Sequence, residues 1–270
     1  MSKQRIREWI RYAGRVHVAF SGGVDSTVLL HLVRQEYPDV PGVFVNTDAE
    51  WPDVRRVVHQ FENVAWLKPN RTFRKVIEKN GYPVISQEVS KKVRDLRESK
   101  SEKLKSRHLY GDAKGNGKLA MKWRFLVDAP FRISEQCCRL MKRSAMDRYI
   151  RQQQSLPLVG VLAEESNQRT IDYLKRGCNR YEGSRPQSFP LAFWTKQDIW
   201  DYMDYYHLSY ADVYDQGHTG TGCMWCCFGI HMEQTPNRFQ LMKQYQPKLY
   251  AYGMNQLGLA QVLDYLGIPY

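Results

Sequence analysis

The sequence predicts an α/β protein built on a doubly wound, mostly parallel sheet. Three observations carry that expectation. The apolar runs Val16-His17-Val18-Ala19-Phe20, Val43-Phe44-Val45-Asn46-Thr47 and Leu158-Val159-Gly160-Val161-Leu162 have the length and β-branched content of buried strands. Stretches of helical character, Val24 to Glu36, Asp53 to Phe61 and Met141 to Gln153, lie between them. Between the first run and the first helix stands Ser21-Gly22-Gly23-Val24-Asp25-Ser26, a glycine turn at a strand-to-helix junction. Alternating strands and helices place a parallel sheet between helical layers.

In chain order, Met1 to Ile10 reads as a short basic amphipathic helix. It has no apolar h-region, so no secretory signal is expected, and no apolar run reaches the length of a membrane span. A cytoplasmic location follows as an expectation. Val64-Ala65-Trp66-Leu67-Lys68 is a candidate third strand. Ligands of such sheets sit at the carboxyl ends of the strands. That edge would collect Ser21 to Ser26, Thr47 to Glu50 and Ala163 to Arg169. From Trp194 onward the chain is aromatic-rich and mostly helical in pattern. The expected organisation is a nucleotide-binding domain over 1–193, with a basic insertion near 88–124, and a helical extension over 194–270.

The formal net charge is +12. Between Lys91 and Arg124 there are twelve Lys or Arg and four Asp or Glu, so a local excess of eight falls in an eighth of the chain. Such a strip commonly meets a polyanion, and DNA or tRNA is the expected partner through 91–124. The competing interpretation is a solvated helix face.

The glycine turn is suited to phosphate or sulfate. Gly22 and Gly23 let backbone approach a ligand, Ser21, Ser26 and Thr27 offer hydroxyls, and a helix start favours an anion. No Gly-Lys-Ser/Thr follows, which excludes a Walker A loop, and the dinucleotide fingerprint is absent. Six cysteines, Cys137, Cys138, Cys178, Cys223, Cys226 and Cys227, include an adjacent pair and a C-x-x-C. In a reducing compartment such clustering suggests metal or redox chemistry. Spacing alone leaves zinc and an iron–sulfur cluster both open.

Ser-Gly-Gly-Val-Asp-Ser resembles the PP-loop of the ATP pyrophosphatase superfamily, whose fold is the adenine nucleotide α-hydrolase type. Cys-Cys, a long gap and Cys-x-x-Cys resemble the iron–sulfur branch of the adenylyl-sulfate and phosphoadenylyl-sulfate (PAPS) reductase family. Val43 to Glu50 resembles that family's second-strand motif, with Asp48 where its members usually have glycine. Gln136 to Lys142 resembles its first cluster motif, Ala163 to Arg169 its arginine-bearing nucleotide loop, and Pro190 to Tyr202 its strand-to-helix segment. Tyr82 to Ser86, Ala163 to Ser166 and Gly222 to Glu233 resemble a phage and mobile-element subgroup related to DNA phosphorothioation sulfurtransferases.

The resemblance implies a [4Fe-4S] cluster on Cys137, Cys138, Cys223 and Cys226, half of these ligands coming from the C-terminal extension. It implies ATP, or adenylyl sulfate or PAPS, on Ser21, Gly22, Gly23, Asp25, Ser26, Thr27, Thr47, Glu50 and Glu165. Asp25 would hold Mg²⁺ or orient the loop. Arg169 would clamp the α-phosphate, and Glu164 or Glu165 would meet ribose or metal, unless the glutamates only favour a helix start. Cys227 is the spare thiol that could attack, replace a ligand or pack. Cys178 and His17 are expected to pack, and His218 and His231 to be supporting or structural. Reductases of the family carry a catalytic cysteine near the C-terminus, and none follows Cys227 here. The expected function is therefore an ATP pyrophosphatase or adenylating step of sulfur transfer with a sulfur-donor protein. The alternative is a sulfonucleotide reductase making sulfite with thioredoxin. A nucleic-acid-binding module without turnover is a third possibility.

Overall fold

The structure, a computed structural model, describes residues 1–270. Its strands are Val16–Ala19 (β1), Gly42–Val45 (β2), Val64–Leu67 (β3), Val84–Ile85 (β4), Leu156–Val159 (β5), Asn179–Arg180 (β6), Gln187–Ser188 (β7) and Cys227–Phe228 (β8). The chain separates into two compact units. One holds residues 1–46, 50–69 and 144–221, and the other holds 47–49, 70–143 and 222–270.

The first unit is built on a six-stranded sheet of order β3-β2-β1-β5-β7-β6. All neighbours run parallel except the edge pair β6 and β7. β1 pairs Val18 with Gly42 on one side and with Leu158 on the other. The chain steps outward from β1 to β3 and later returns to fill the other side with β5. The carboxyl ends of β1 and β5 therefore flank a topological switch point, where doubly wound sheets bind ligands. Val18, Phe44 and Leu158 are fully buried, as expected for strands covered on both faces.

The helix Val24–Arg34 presents Val28, Leu29, Leu30 and Val33 to the core, all at 0% exposure. Each such side chain stabilises the fold by roughly 1.5–3 kcal/mol through apolar burial. The expected N-terminal helix is Ser2–Ala13, anchored by buried Ile6 and Trp9. The helix Lys196–Tyr205 starts with a reciprocal cap between Thr195 and Asp198 and is tied to Val24–Arg34 by His31 Nδ1 and the Tyr202 hydroxyl at 2.9 Å.

The second unit is mostly helical. Phe73–Asn80, Gln87–Glu98 and Glu102–Tyr110 are each capped by the hydroxyl of the preceding residue, Thr72, Ser86 and Ser101. Arg238–Tyr245 and Leu259–Leu266 follow near the C-terminus. Its only sheet is the parallel pair β4–β8, which sets Val84 opposite Cys227.

These compact units divide the chain elsewhere than at the expected boundary of residue 193. The segment 194–221 belongs with the nucleotide-loop sheet, because its helix packs on Val24–Arg34. The segment 222–270 belongs with 70–143, because β8 pairs with β4. The 88–124 stretch is thus part of the second unit rather than an insertion into the first. The antiparallel β6–β7 edge was also not foreseen; two-residue strands are too short for a periodicity signal. No helix of the protein is long and apolar enough to cross a membrane.

Candidate nucleotide site and cysteine centre

β1 ends at Ala19, and the loop Ser21–Ser26 turns directly into the helix Val24–Arg34. Gly22 has φ of 75°, a left-handed value that glycine adopts at least cost. A Cβ on Gly23 would lie 2.5 Å from Thr221 Oγ1 and 3.2 Å from the Tyr214 hydroxyl. A Cβ on Gly160, just after β5, would lie 2.8 Å from the carbonyl oxygen of Asp25. Each glycine is therefore fixed by close approach of backbone and hydroxyls at the switch point.

Hydroxyls line this loop. Ser26 Oγ accepts from the amide of Ser21 at 3.1 Å and donates to the carbonyl of Gly23 at 2.9 Å. The Val24 amide donates to the Tyr214 hydroxyl at 3.2 Å. Burial pushes the Tyr214 phenol up, which keeps its proton available for donation. The Thr27 hydroxyl is buried without a hydrogen-bond partner. Amides and hydroxyls converging at a helix start form an anion cradle.

Asp25 does not stand as an isolated carboxylate. Lys196 Nζ donates to its two oxygens at 3.1 and 3.0 Å. The amide of Lys196 donates to Glu164 Oε1 at 2.6 Å, so Glu164, Lys196 and Asp25 form one connected row. Glu165 accepts from the Leu162 amide at 3.2 Å and is ion-paired with Arg169. Glu165 thus serves as a helix-start acid as well as a partner that orients the guanidinium. Thr47 and Glu50 are buried at 0% and 2% exposure, Thr47 in the second unit and Glu50 in the first. Asp48 between them has φ of 62°. That left-handed conformation favours glycine, and aspartate is among the residues that tolerate it.

In the second unit, Cys137 and Cys138 have sulfurs 3.9 Å apart. Cys223 and Cys226 share a turn closed by the Cys226 amide and the Cys223 carbonyl at 3.1 Å. The two pairs are within electrostatic range of each other. The Cys137 thiol is held up by its bond to Cys138, then by burial, then by the charges of Cys138, Cys226 and Cys223. Cys138 is lowered to about 6 by its bond from Cys137, with Lys142 and Arg143 adding positive charge. Cys226 is pushed up to about 12 by burial and next by Cys223. No three Cys, His, Asp or Glu side chains already stand in a closed metal-binding arrangement. The donor chemistry nevertheless fits a thiolate-bound centre. The sulfurs are close enough that each thiolate raises its neighbours' pKa, and a bound metal cation favours the thiolate forms together.

A family profile described as the phosphoadenosine phosphosulfate reductase domain matches residues 15–105 and 87–228. The chain belongs to this family. Among relatives, the adenosine 5'-phosphosulfate reductase of Halalkalibacterium halodurans is 22% identical over 215 residues, covering 80% of this chain and 75% of the relative. That of Geobacillus kaustophilus is 24% identical over 216 residues, covering 80% and 74%. The crystal structure of phosphoadenylyl-sulfate reductase from Candida auris, a phosphate complex, overlays with a TM-score of 0.50 at 14% identity. It covers 82% of this chain and 87% of that one, and shares the fold.

Within this member of the phosphoadenosine phosphosulfate reductase domain family, the remaining cysteines are interior. Cys227 lies on β8 at 0% exposure, its thiol raised by burial. Cys178 is 7% exposed, also raised by burial. Burial keeps both sulfurs protonated and away from solvent, the state of a packing residue. His17 is fully buried in β1, with Nδ1 2.8 Å from Ser155 Oγ, and burial lowers it to about 4. His231 stands edge-on to Trp123, and His218 lies against Trp51.

Sequence reasoning missed four contributing residues. Lys196 holds Asp25; its only signal is a lysine at the first position of a capped helix. Tyr214 and Thr221 close over Gly23 from a loop with no motif of its own. Arg238 donates to the carbonyls of Cys226 at 3.0 Å and Phe228 at 3.3 Å, while Glu233 accepts from its Nε at 2.6 Å. Glu233 also accepts from the Arg238 amide at 2.9 Å. Arg238 thereby fixes the backbone that carries the second cysteine pair.

Proposed function

We propose that this protein is an ATP pyrophosphatase of sulfur transfer that works with an iron–sulfur centre. ATP binds with its β- and γ-phosphates on Ser21, Gly22, Gly23, Ser26 and Thr27, and Arg169 meets the α-phosphate. Mg²⁺ accompanies the nucleotide, and Asp25, held by Lys196, orients the loop toward it. An acceptor oxygen attacks the α-phosphorus, the bond to the leaving oxygen breaks, and pyrophosphate departs into the cradle. A hydrosulfide-class sulfur nucleophile then attacks the adenylated atom of the acceptor, the bond from that atom to the AMP oxygen breaks, and AMP leaves with the oxygen. Fixed amides and hydroxyls stabilise the charge that develops on the leaving group.

Cys137, Cys138, Cys223 and Cys226 would hold a [4Fe-4S] cluster, which supplies a site for soft sulfur ligands. Arg238 and Glu233 position the Cys226 backbone. Cys227 and Cys178 pack.

The observation that supports this reading over sulfate reduction is the placement of the thiols. Reduction requires an accessible attacking thiolate, and Cys178 and Cys227 are the two cysteines outside the proposed ligand set. Both are buried with raised pKa values. The second reading is a sulfonucleotide reductase. The names of the relatives favour it, and it requires a thiol from a partner such as thioredoxin.

The test is an anaerobic preparation assayed side by side for pyrophosphate from ATP and for sulfite from adenylyl sulfate or PAPS with a thiol reductant. Pyrophosphate without sulfite is expected, with release lost in Asp25→Ala. Sulfite without pyrophosphate overturns the reading. Iron and visible thiolate-to-iron absorbance should be lost in Cys138→Ser and kept in Cys227→Ala; a colourless protein holding one tight zinc refutes the cluster.

A further inference from the structure

The 91–124 stretch contains four acidic residues, and the structure shows where three of them are engaged. Asp95 meets Arg94 at 3.2 Å and His108 at 3.3 Å. Glu102 pairs with Lys105 at 3.1 Å. Asp112 accepts from the amides of Lys114 and Asn116 at 2.9 Å, closing its own turn. Other cations are turned inward: Arg97 donates to the Phe131 and Ala129 carbonyls, and Arg124 to that of Leu109. Three of the acids are thus used by internal structure; Lys103, Lys118 and Lys122 are exposed and form no salt bridge, and Arg107 is exposed with only Asp112 near enough to feel its charge.

Lys103, Arg107 and Lys118 lie together. Lys103, Arg107 and Tyr110 follow at i, i+4 and i+7 on the helix Glu102–Tyr110, so they stand on one face. The opposite face is pinned: His108 is 8% exposed and bonded to Asp95. The next strand of chain is docked along the same helix. The Leu119 amide donates to the His108 carbonyl at 2.7 Å, and Lys92 Nζ donates to the Lys118 carbonyl at 3.0 Å. Gly117 runs so close to Arg107 that a Cβ there would lie 2.8 Å from Arg107 Nε. Lys118 is therefore held beside Arg107, with Lys122 a few residues on. Amid these cations Tyr110 is 73% exposed, a large ring that nothing in the unit covers.

Cations spaced along a pinned face track phosphates, and an uncovered aromatic ring offers a stacking platform to an unpaired base. We propose that Lys103, Arg107, Lys118 and Lys122 bind the phosphates of a single-stranded nucleic acid while Tyr110 stacks on one of its bases. A duplex keeps its bases in the stack and leaves Tyr110 without a partner. The inference names the acceptor class for the sulfur-transfer reading, and it is tested without ATP, so either can fail alone.

The experiment is fluorescence anisotropy of the full chain with a labelled 20-nucleotide single strand across a salt series. The expected slope of log affinity on log salt is about −3, from four or five phosphate contacts at roughly −0.7 each. The double variant Lys103→Glu/Arg107→Glu should lose at least tenfold in affinity and flatten the slope. Tyr110→Ala should lose about tenfold with the slope unchanged, the signature of lost stacking. Lys3→Glu, an exposed charge change in the other unit, is the control for net charge and should be silent. Equal losses in Lys3→Glu and in the double variant overturn the proposal. So does an unaffected Tyr110→Ala, or tighter binding of the matching duplex.

Discussion

Lys196 Nζ lies 3.0 and 3.1 Å from the two carboxylate oxygens of Asp25, joining the start of the helix Lys196–Tyr205 to the glycine loop. The lysine is 41% exposed and the aspartate 20%, so the pair is partly screened. Its value lies in orientation more than in stability. An unpaired Asp25 would repel the phosphates the loop is shaped to hold. Lys196→Met is expected to weaken ATP binding by about five- to tenfold, as for the loss of roughly 1 kcal/mol. Lys196→Arg should restore part of it. Calorimetric titration with ATP checks this, and wild-type affinity in Lys196→Met would refute the orienting role.

Gly23→Ala tests the cradle directly. The added methyl would meet Thr221 Oγ1 at 2.5 Å, so loop or hydroxyl must move. The expected result is near-complete loss of nucleotide binding with a melting temperature lowered only modestly. Gly183→Ala serves as a comparison, since open space surrounds that position; its φ of 105° predicts backbone strain without loss of binding. Wild-type ATP affinity in Gly23→Ala would remove the close-approach argument.

Arg238 and Glu233 make a second kind of prediction. Arg238→Met strands the Glu233 carboxylate and the carbonyls of Cys226 and Phe228. Discounted for partial exposure, the cost is about 2 kcal/mol of stability. Metal should also leave the cysteine centre faster in the presence of a chelator. Arg238→Lys should recover little, because a point charge cannot serve both carbonyls and the carboxylate. Urea unfolding and the time course of bleaching by chelator provide the readouts; unchanged metal retention in Arg238→Met would show that the clamp does not reach the centre.

His17 predicts a pH dependence. Burial lowers it to about 4 from an ordinary 6.5, so the folded state binds fewer protons than the unfolded state between those values. Stability from this group is fully present above pH 6.5 and is lost as pH falls toward 4. The loss amounts to about 3 kcal/mol at one pKa unit per 1.36 kcal/mol. The difference in unfolding free energy between wild type and His17→Gln should change by that amount over the window. A constant difference from pH 7 to pH 4 would contradict the assignment.

Much of this molecule is legible along the chain because its signals are local. β1, the glycine loop and the helix Val24–Arg34 follow within twenty residues of one another, and each depends on its own residue types. Asp48 illustrates the limit of such reading. Its place in the family's glycine position is visible in sequence, but only the backbone, with φ of 62°, explains why glycine is usual there. The division into two compact units was not legible for a related reason. The aromatic character of 194–270 runs through both of its parts, whereas these pack on different partners through His31–Tyr202 and Val84–Cys227. Lys196 and Arg238 were invisible because a single basic residue carries no periodic or spacing signal.

By itself, the sequence determined the parallel α/β architecture, the phosphate-suited loop, the two cysteine pairs and the concentration of positive charge. These depend on residue types at short spacing, where chain geometry leaves little choice. Only the tertiary structure decided which carboxylate each cation meets, that Cys227 is buried, and that Lys103, Arg107 and Tyr110 are exposed on a shared face. Those outcomes depend on which distant segments pack together, through pairings such as β4 with β8 that no local spacing encodes.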